Sequence, residues 1–258
     1  MWLCGPHPAA VAQAEQPVAA VPRIALIIDD LGYNLAYGQR AVNLPGAVTC
    51  SILPGTPHAH KLAQHAKESG KEIMLHLPMQ GSVHSATEPG SLSPEMTEPD
   101  FRAILQQHLA ALPEAVGVNN HMGSRVTPLP EQMNWLMDEL AQHSLYFVDS
   151  RTTHLTVAAH AAAEHAVAFM QRDVFLDNEK NYAFIEAAFE SLIQKAQRRG
   201  YAIGIAHAHP ATLAALENLL PQLQERGIRL QSVSQLVTRT QAEVAVRTSI
   251  PGEAVIQP

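Results

Sequence analysis

Apolar stretches of strand length alternate along the chain with helix-length amphipathic segments, and most of those stretches stop at a cluster of ionisable side chains. Ile24 to Ile28 ends in Asp29 and Asp30, Glu72 to Leu75 in His76, and Ala115 to Val118 in Asn119, Asn120 and His121. Leu145 to Val148 runs into Asp149, Ser150 and Arg151, Ala166 to Met170 into Gln171, Arg172 and Asp173, and Tyr201 to Ala206 into His207, Ala208 and His209. The pattern predicts strands near 24–28, 48–53, 72–77, 115–118, 145–148, 166–170, 202–206 and 229–232. Helices are predicted over His58–Gly70, Glu98–Leu112, Pro130–Ser144, Asn181–Gly200 and Pro210–Gly227. Glycines close three of them, and proline with an acid opens the first turns at Glu98-Pro99-Asp100 and Pro130-Glu131. Such alternation makes βαβ units and a mainly parallel sheet, with enough strands to close or nearly close a barrel. Parallel strands linked by crossover helices present their C-terminal ends on one edge, so these polar groups are expected to converge on one cleft.

A chain of 258 residues, 47% hydrophobic and 16% charged, suits a single large α/β domain. Its limits are expected at residues 23–238, between a flexible N-terminal segment (1–22) and a flexible C-terminal tail (239–258). The N-terminal segment lacks the basic and continuous apolar regions of a secretory signal, but Val18-Ala19-Ala20 resembles the tail of an export leader. A net charge of -7 and the absence of a basic stripe argue against nucleic acid as a partner. No apolar run approaches the roughly 18–20 residues of a membrane span. Cys4 and Cys50 do not make a disulfide framework. Of 14 histidines, those at 58, 60, 65, 84, 108, 143, 154, 160 and 165 fall in loops or on helix faces and read as solvated or satisfied residues. The Ser-, Thr-, Glu- and Pro-rich stretch from Gly81 to Pro99 is expected to form a lid or substrate wall over the cleft.

Six ordered motifs carry a resemblance. They are Ile27-Ile-Asp-Asp-Leu-Gly-Tyr33, Met74-Leu-His-Leu-Pro-Met79, Gly117-Val-Asn-Asn-His-Met-Gly-Ser124, Phe147-Val-Asp-Ser-Arg-Thr152, Arg172-Asp-Val-Phe-Leu-Asp177 and Ile205-Ala-His-Ala-His-Pro210. Over about Arg23 to Val237 the chain resembles the divergent polysaccharide deacetylases, an envelope branch of the NodB-type carbohydrate esterases. That resemblance implies a distorted (β/α) barrel of about seven parallel strands and a divalent metal, usually zinc. It also implies hydrolysis of acetyl groups on a polysaccharide or peptidoglycan-like glycan, in the periplasm or cell envelope.

By the resemblance, Asp29 is the general base, Asp30 and His76 bind metal, and His207 is the catalytic histidine that protonates the leaving group or stabilises the oxyanion. A metal hydrolase needs about three N/O ligands, an open position for water and a nearby carboxylate, and the motifs supply these types. Taken alone, Asp29-Asp30 also reads as a helix N-cap, and His76 as a core histidine. The wider superfamily takes its next ligand four residues after the first histidine, where this chain has Gln80, and the superfamily's Arg-x-Pro-Tyr pattern is missing. His121, flanked by asparagines able to fix its tautomer, is the preferred third ligand; otherwise the metal site is incomplete. Arg151 and Arg172 are candidates to orient Asp29 or hold a carboxylate, with Asp149, Asp173 and Asp177 as partners, although an ion-pair network at the barrel mouth explains the same residues. Asn119 and Asn120 are candidate substrate-facing or supporting donors, and His209 either reaches the site or marks a helix entry. Ser124 and Arg125 are weaker candidates. With 5% aromatics the sugar platform is thin, Tyr33 and Tyr182 being the ones placed near the mouth and Trp135 being core. Three readings follow: a metal-dependent deacetylase, a non-catalytic glycan- or peptidoglycan-binding protein with a degenerate metal site, or a metal-dependent amidase on another substrate.

Overall fold

The computed structural model describes residues 21–82 and 88–240. Most of the expected N-terminal segment and of the C-terminal tail, with Cys4, His84 and part of the expected lid, lies outside the described residues. The strands are β1 (Arg23–Leu31), β2 (Thr49–Ile52), β3 (Glu72–Met79), β4 (Gly117–Met122), β5 (Tyr146–Asp149), β6 (Phe169–Gln171), β7 (Val174–Phe175), β8 (Tyr201–His207) and β9 (Arg229–Gln231). They form one sheet in the order β6-β5-β4-β3-β2-β1-β8-β7, with β9 beside the start of β1, and the pairings are parallel. The helices are α1 (Leu35–Val42), α2 (Ala59–Glu68), α3 (Glu98–Ala111), α4 (Pro130–Gln142), α5 (Ala158–Glu164), α6 (Tyr182–Arg199) and α7 (Pro210–Leu219).

Closure comes from one short stretch of chain. β6 pairs with β5 and β7 pairs with β8, with only Arg172 and Asp173 between them. The amide of Arg172 bonds the carbonyl of Asp149, and the amide of Asp173 bonds that of Ile203, so the two edges of the sheet are stitched through consecutive residues. Counting β6 and β7 as one bent stave gives the distorted (β/α) barrel of about seven strands that the motifs imply.

Period-two alternation sorts the strand residues. Ile24, Leu26 and Ile28 join the large outer core under the helices, whereas Ala25 and Ile27 pack inside with Met74, Val148, Ile203 and Ile205. The inward series continue to Asp29, His76 and His207, which places the chemistry at the top of the barrel core. A helix over 233–240 brings Val233, Leu236 and Val237 against the inner cluster. Its start is tied to the barrel by the Glu72 carboxylate, which accepts from Ser234 N at 3.2 Å, Tyr146 Oη at 2.9 Å and Thr49 Oγ1 at 3.0 Å.

The predicted helices form close to their expected limits, α3 and α6 beginning at side-chain caps from Thr97 and Asn181 and α6 ending at Gly200 with φ 88°. The helix expected to reach Gly227 stops as an α-helix at Leu219 and tightens into a 3-10 turn over Leu220–Leu223, because Pro221 has no amide to continue the ladder. The hydrophobic pattern misses α1 and α5. Each spans only about two turns, too short for a period of 3.6 to stand out, and α1 is set by the Asn34 cap instead.

Gly117, at the start of β4, faces the ring of Tyr146, and a Cβ there would lie 2.2 Å from Tyr146 Cζ. Tyr146 is 6% exposed and held by Glu72, so it has little room to withdraw. Gly117→Ala is expected to destabilise the fold by about 1–3 kcal/mol through overpacking. A urea or thermal melt checks it, and an unchanged midpoint would mean that the Tyr146 ring moves freely.

Candidate metal centre

Adjacent residues on a strand point to opposite faces, yet Asp29 and Asp30 both serve the same mouth. The reason is local: Asp30 has φ 59°, in the left-handed region, and the β1–β2 register slips between Ile28 and Leu31. Met122 and Arg151, at and just after the C-terminal ends of β4 and β5, have φ of 55° and 54°. Left-handed side-chain-bearing residues at the tops of three strands mark where regular alternation is broken to aim side chains.

Asp30 Oδ1, His76 Nε2 and His121 Nδ1 form a nearly equilateral triangle. Asp30 Oδ1 is 3.1 Å from His76 Nε2 and 3.0 Å from His121 Nδ1, and the two nitrogens are 3.1 Å apart. Asn119 identifies which His76 nitrogen is free. Its Nδ2 donates to Asp29 Oδ1 at 2.9 Å, which orients the amide, so its Oδ1 accepts from His76 Nδ1 at 2.9 Å and from Ser51 Oγ at 2.7 Å. With its proton held on Nδ1, neutral His76 turns the Nε2 lone pair toward Asp30 and His121. With His121 Nδ1 deprotonated as well, three lone-pair donors at this separation repel unless a cation lies among them. The edges are a little shorter than the roughly 3.3 Å between ligands of a tetrahedral ion bound at about 2.0 Å. The donor set therefore fits a small divalent cation with one coordination position left open.

Where no ion lies among these donors, protons bridge the same atoms. Burial works against ionisation of Asp30, but hydrogen bonds from His121 and His76 outweigh it and hold the carboxyl well below the usual carboxylate range. Burial also works against protonation of His76, and the charges of Asp29 and Asp30 outweigh it, with a net upward shift. His121 Nε2 is buried without a partner among the described residues. The asparagines expected to serve His121 do not: Asn119 is taken by His76 and Asp29, while Asn120 points the other way and binds Met122 O and Ser150 N.

The neighbouring wall is built on β8, where His207 lies beside Asp29 in the parallel register. His207 Nδ1 bonds Asp177 Oδ1 at 3.1 Å, and Asp177 Oδ2 accepts from His207 N at 2.8 Å and Thr212 Oγ1 at 2.9 Å. The buried Asp177 thus fixes both ring and backbone of His207, leaving Nε2 3.6 Å from Asp30 Oδ2. Burial depresses the His207 pKa, but the Asp177 hydrogen bond and the charges of Asp29 and Asp30 push it up to about 9. Expected as an arginine partner, Asp177 instead stands beside His207, a place that the two-residue β7 hides from the hydrophobic pattern.

His209 caps α7 and stacks on His207 with ring centroids 5.8 Å apart. Asp173 stands apart from the mouth, its carboxylate taken by Arg199 at 2.5 Å and Ile203 N at 2.8 Å. Asp149 accepts from Arg151 N at 2.7 Å, and Arg172 donates to the carbonyls of Ser150 and Arg151 at 2.7 and 3.0 Å. Gln80 is outside the triangle: its Oε1 accepts from Arg125 Nη1, whose Nη2 holds Glu95. Tyr33 is exposed at the rim and bonds Glu88 of the expected lid. Ser51 was missed, though it shares the inward parity of Thr49 on β2.

Residues 26–237 match the family model described as divergent polysaccharide deacetylase. The uncharacterized protein YibQ of Escherichia coli K12 is 36% identical over 237 residues, covering 92% of this chain and 74% of that protein. The crystal structure of the uncharacterized protein ATU2773 from Agrobacterium tumefaciens C58 is similar with a TM-score of 0.82 at 25% identity, over 84% of this chain and 90% of its own. BA3943 from Bacillus anthracis, a CE4 family pseudoenzyme, is similar in fold, with a TM-score of 0.50 at 14% identity over 84% of this chain and 65% of its own.

Loading the protein with zinc, followed by dialysis and elemental analysis, is expected to give one ion per chain in the parent. Asp30→Ala and His121→Ala should abolish stoichiometric retention, and His209→Ala should keep it. Asn119→Ala removes the partner that sets the His76 tautomer and is expected to weaken affinity about 10- to 100-fold. Full retention in His121→Ala would exclude it as a ligand.

Proposed function

Because this chain belongs to the divergent polysaccharide deacetylase family, we propose that it is a zinc-dependent hydrolase that removes acetyl groups from a bacterial envelope glycan. The observation that carries this reading is the Asp30, His76 and His121 triangle with Asp29 and the His207–Asp177 pair beside it on the adjacent strands β1 and β8. Asp30, His76 and His121 would hold the ion. When bound, it supplies Lewis acidity at its open position, toward water and the acyl oxygen.

Asp29 takes the proton of the attacking water. Its Oδ1 accepts from Asn119 and lies 3.7 Å from His76 Nδ1, so the remaining oxygen is the one available for the proton. His207, held by Asp177, whose hydrogen bond favours its protonated form, delivers a proton from Nε2 to the leaving nitrogen or oxygen as the acyl bond breaks. The products are acetate and the free amine or hydroxyl. Asp29 then returns its proton to solvent, and His207 regains one.

Gln80 does not favour a decayed centre, since the triangle is complete without it and Gln80 is engaged by Arg125. No helix among the described residues is long and apolar enough to cross a membrane. A periplasmic or envelope location follows from the family's substrate class and is part of the proposal.

The test is acetate release from N- and O-acetylated glycan oligomers by the zinc-loaded protein. Asp29→Asn and His207→Ala are each expected to lower kcat about 10²- to 10⁴-fold, while Asp29→Asn keeps its zinc. A parent that binds zinc and the oligomers but releases no acetate would favour the glycan-binding reading, and release of acyl groups only from small amides would favour an amidase.

A further inference from the structure

Arg151 is held in place by its backbone, while no described residue pairs with its charge. Its φ of 54° is in the left-handed region, which costs energy for a residue with a Cβ. Three contacts keep it there: Arg151 N donates to Asp149 Oδ1, Arg172 Nε donates to the Ser150 carbonyl, and Arg172 Nη2 donates to the Arg151 carbonyl. Asp149 Oδ1 and the Arg172 guanidinium are committed to this clamp, and Asp149 Oδ2 is buried without a hydrogen bond among the described residues. Asp149 is 1% exposed, and the Arg172 guanidinium lies 5.2 Å above the Phe175 ring while bonding those carbonyls.

The Arg151 guanidinium has no hydrogen bond or ion pair among the described residues, and the residue is half-buried. Its backbone lies close to the proposed reacting groups. Ser150, the preceding residue, is 3.4 Å from the Asn119 amide nitrogen that donates to Asp29. Arg172, whose pKa is lowered by burial, is lowered further by the Arg151 charge, so two guanidinium groups share this side of the mouth. A solvated surface arginine needs neither a left-handed backbone nor two clamping side chains. A planar guanidinium carried by a braced backbone at the mouth, without a partner among the described residues, suits a carboxylate, which it engages with two parallel hydrogen bonds.

We propose that Arg151 recognises a carboxylate on the substrate, and that the glycan processed here is acidic, its carboxylate on or next to the sugar that carries the acetyl group. The inference rests on the deacetylase reading and narrows its substrate class. A ring carboxylate of a uronic acid and the lactyl carboxylate of a muramic acid share the chemistry.

The test separates binding from turnover. Full-length Asp29→Asn protein, loaded with zinc, is titrated calorimetrically with two disaccharides: glucuronic acid linked to N-acetylglucosamine, and N-acetylmuramic acid linked to N-acetylglucosamine. The primary amide of each is titrated alongside. The titrations are repeated with Arg151→Gly, chosen because glycine accepts the left-handed backbone without strain. Amidation is expected to weaken binding of at least one disaccharide about 10- to 100-fold, as for loss of a hydrogen bond between charged groups. In the Arg151→Gly protein, acid and amide should bind alike. Discrimination with one disaccharide alone identifies the source of the carboxylate. Equal binding of acid and amide before the substitution, undiminished discrimination after it, or no binding of any of the four overturns the inference. Acetate release by the parent protein is read separately, so intact discrimination without turnover counts against the deacetylase reading alone.

Discussion

The amide of Asn119 joins the two functions of the centre. By donating to Asp29 and accepting from His76, it sets the orientation of a carboxylate and the tautomer of an imidazole at once. Neither bond forms without the other in its present sense, because the amide has one accepting and one donating end. The arrangement depends on β3 and β4 pairing so that His76 lies beside Asn119, and on β2 bringing Ser51 to the same oxygen. A slip of one residue between these strands would turn Asn119 to the outer face. The register of the barrel and the chemistry of its mouth are in this sense one constraint.

Above that joint, the strand ends are shaped by departures from regular geometry. The left-handed backbone at Asp30 turns a second carboxylate into the mouth, and the one at Arg151 is braced by Asp149 and Arg172. These local costs are borne by a large buried core: the outer aliphatic layer under the helices and the inner cluster around Ile27, Ile203 and Ile205. The barrel is narrow enough for that inner cluster to fill it. Polar groups therefore collect at the top instead of lining a channel.

Family membership and a shared fold leave catalysis open, since BA3943 is similar in fold and is a pseudoenzyme. The case for hydrolysis therefore lies in the side chains. The candidate ligand set, completed by His121 on β4 in place of a residue at position 80, provides three donors beside Asp29 and His207 on the paired strands β1 and β8. Asp177 supports His207 as Asn119 supports Asp29: each is buried, and each bonds its neighbour's side chain.

Period two and the placement of polar residues after apolar runs were enough, from the sequence, to foresee a parallel barrel whose strand ends share one edge. They also pointed to Asp29, Asp30, His76, His121 and His207 as neighbours. Alternation is a local property, so it survives in one dimension. What joins these residues is not local. Asn119 meets His76 across 43 residues and Asp29 across 90, and Asp177 meets His207 across 30. Those contacts depend on which strands lie side by side, on their register, and on the direction in which each side chain leaves the backbone. The left-handed turn at Asp30, the exclusion of Gln80 and the bracing of Arg151 were decided at that level, by packing across the sheet.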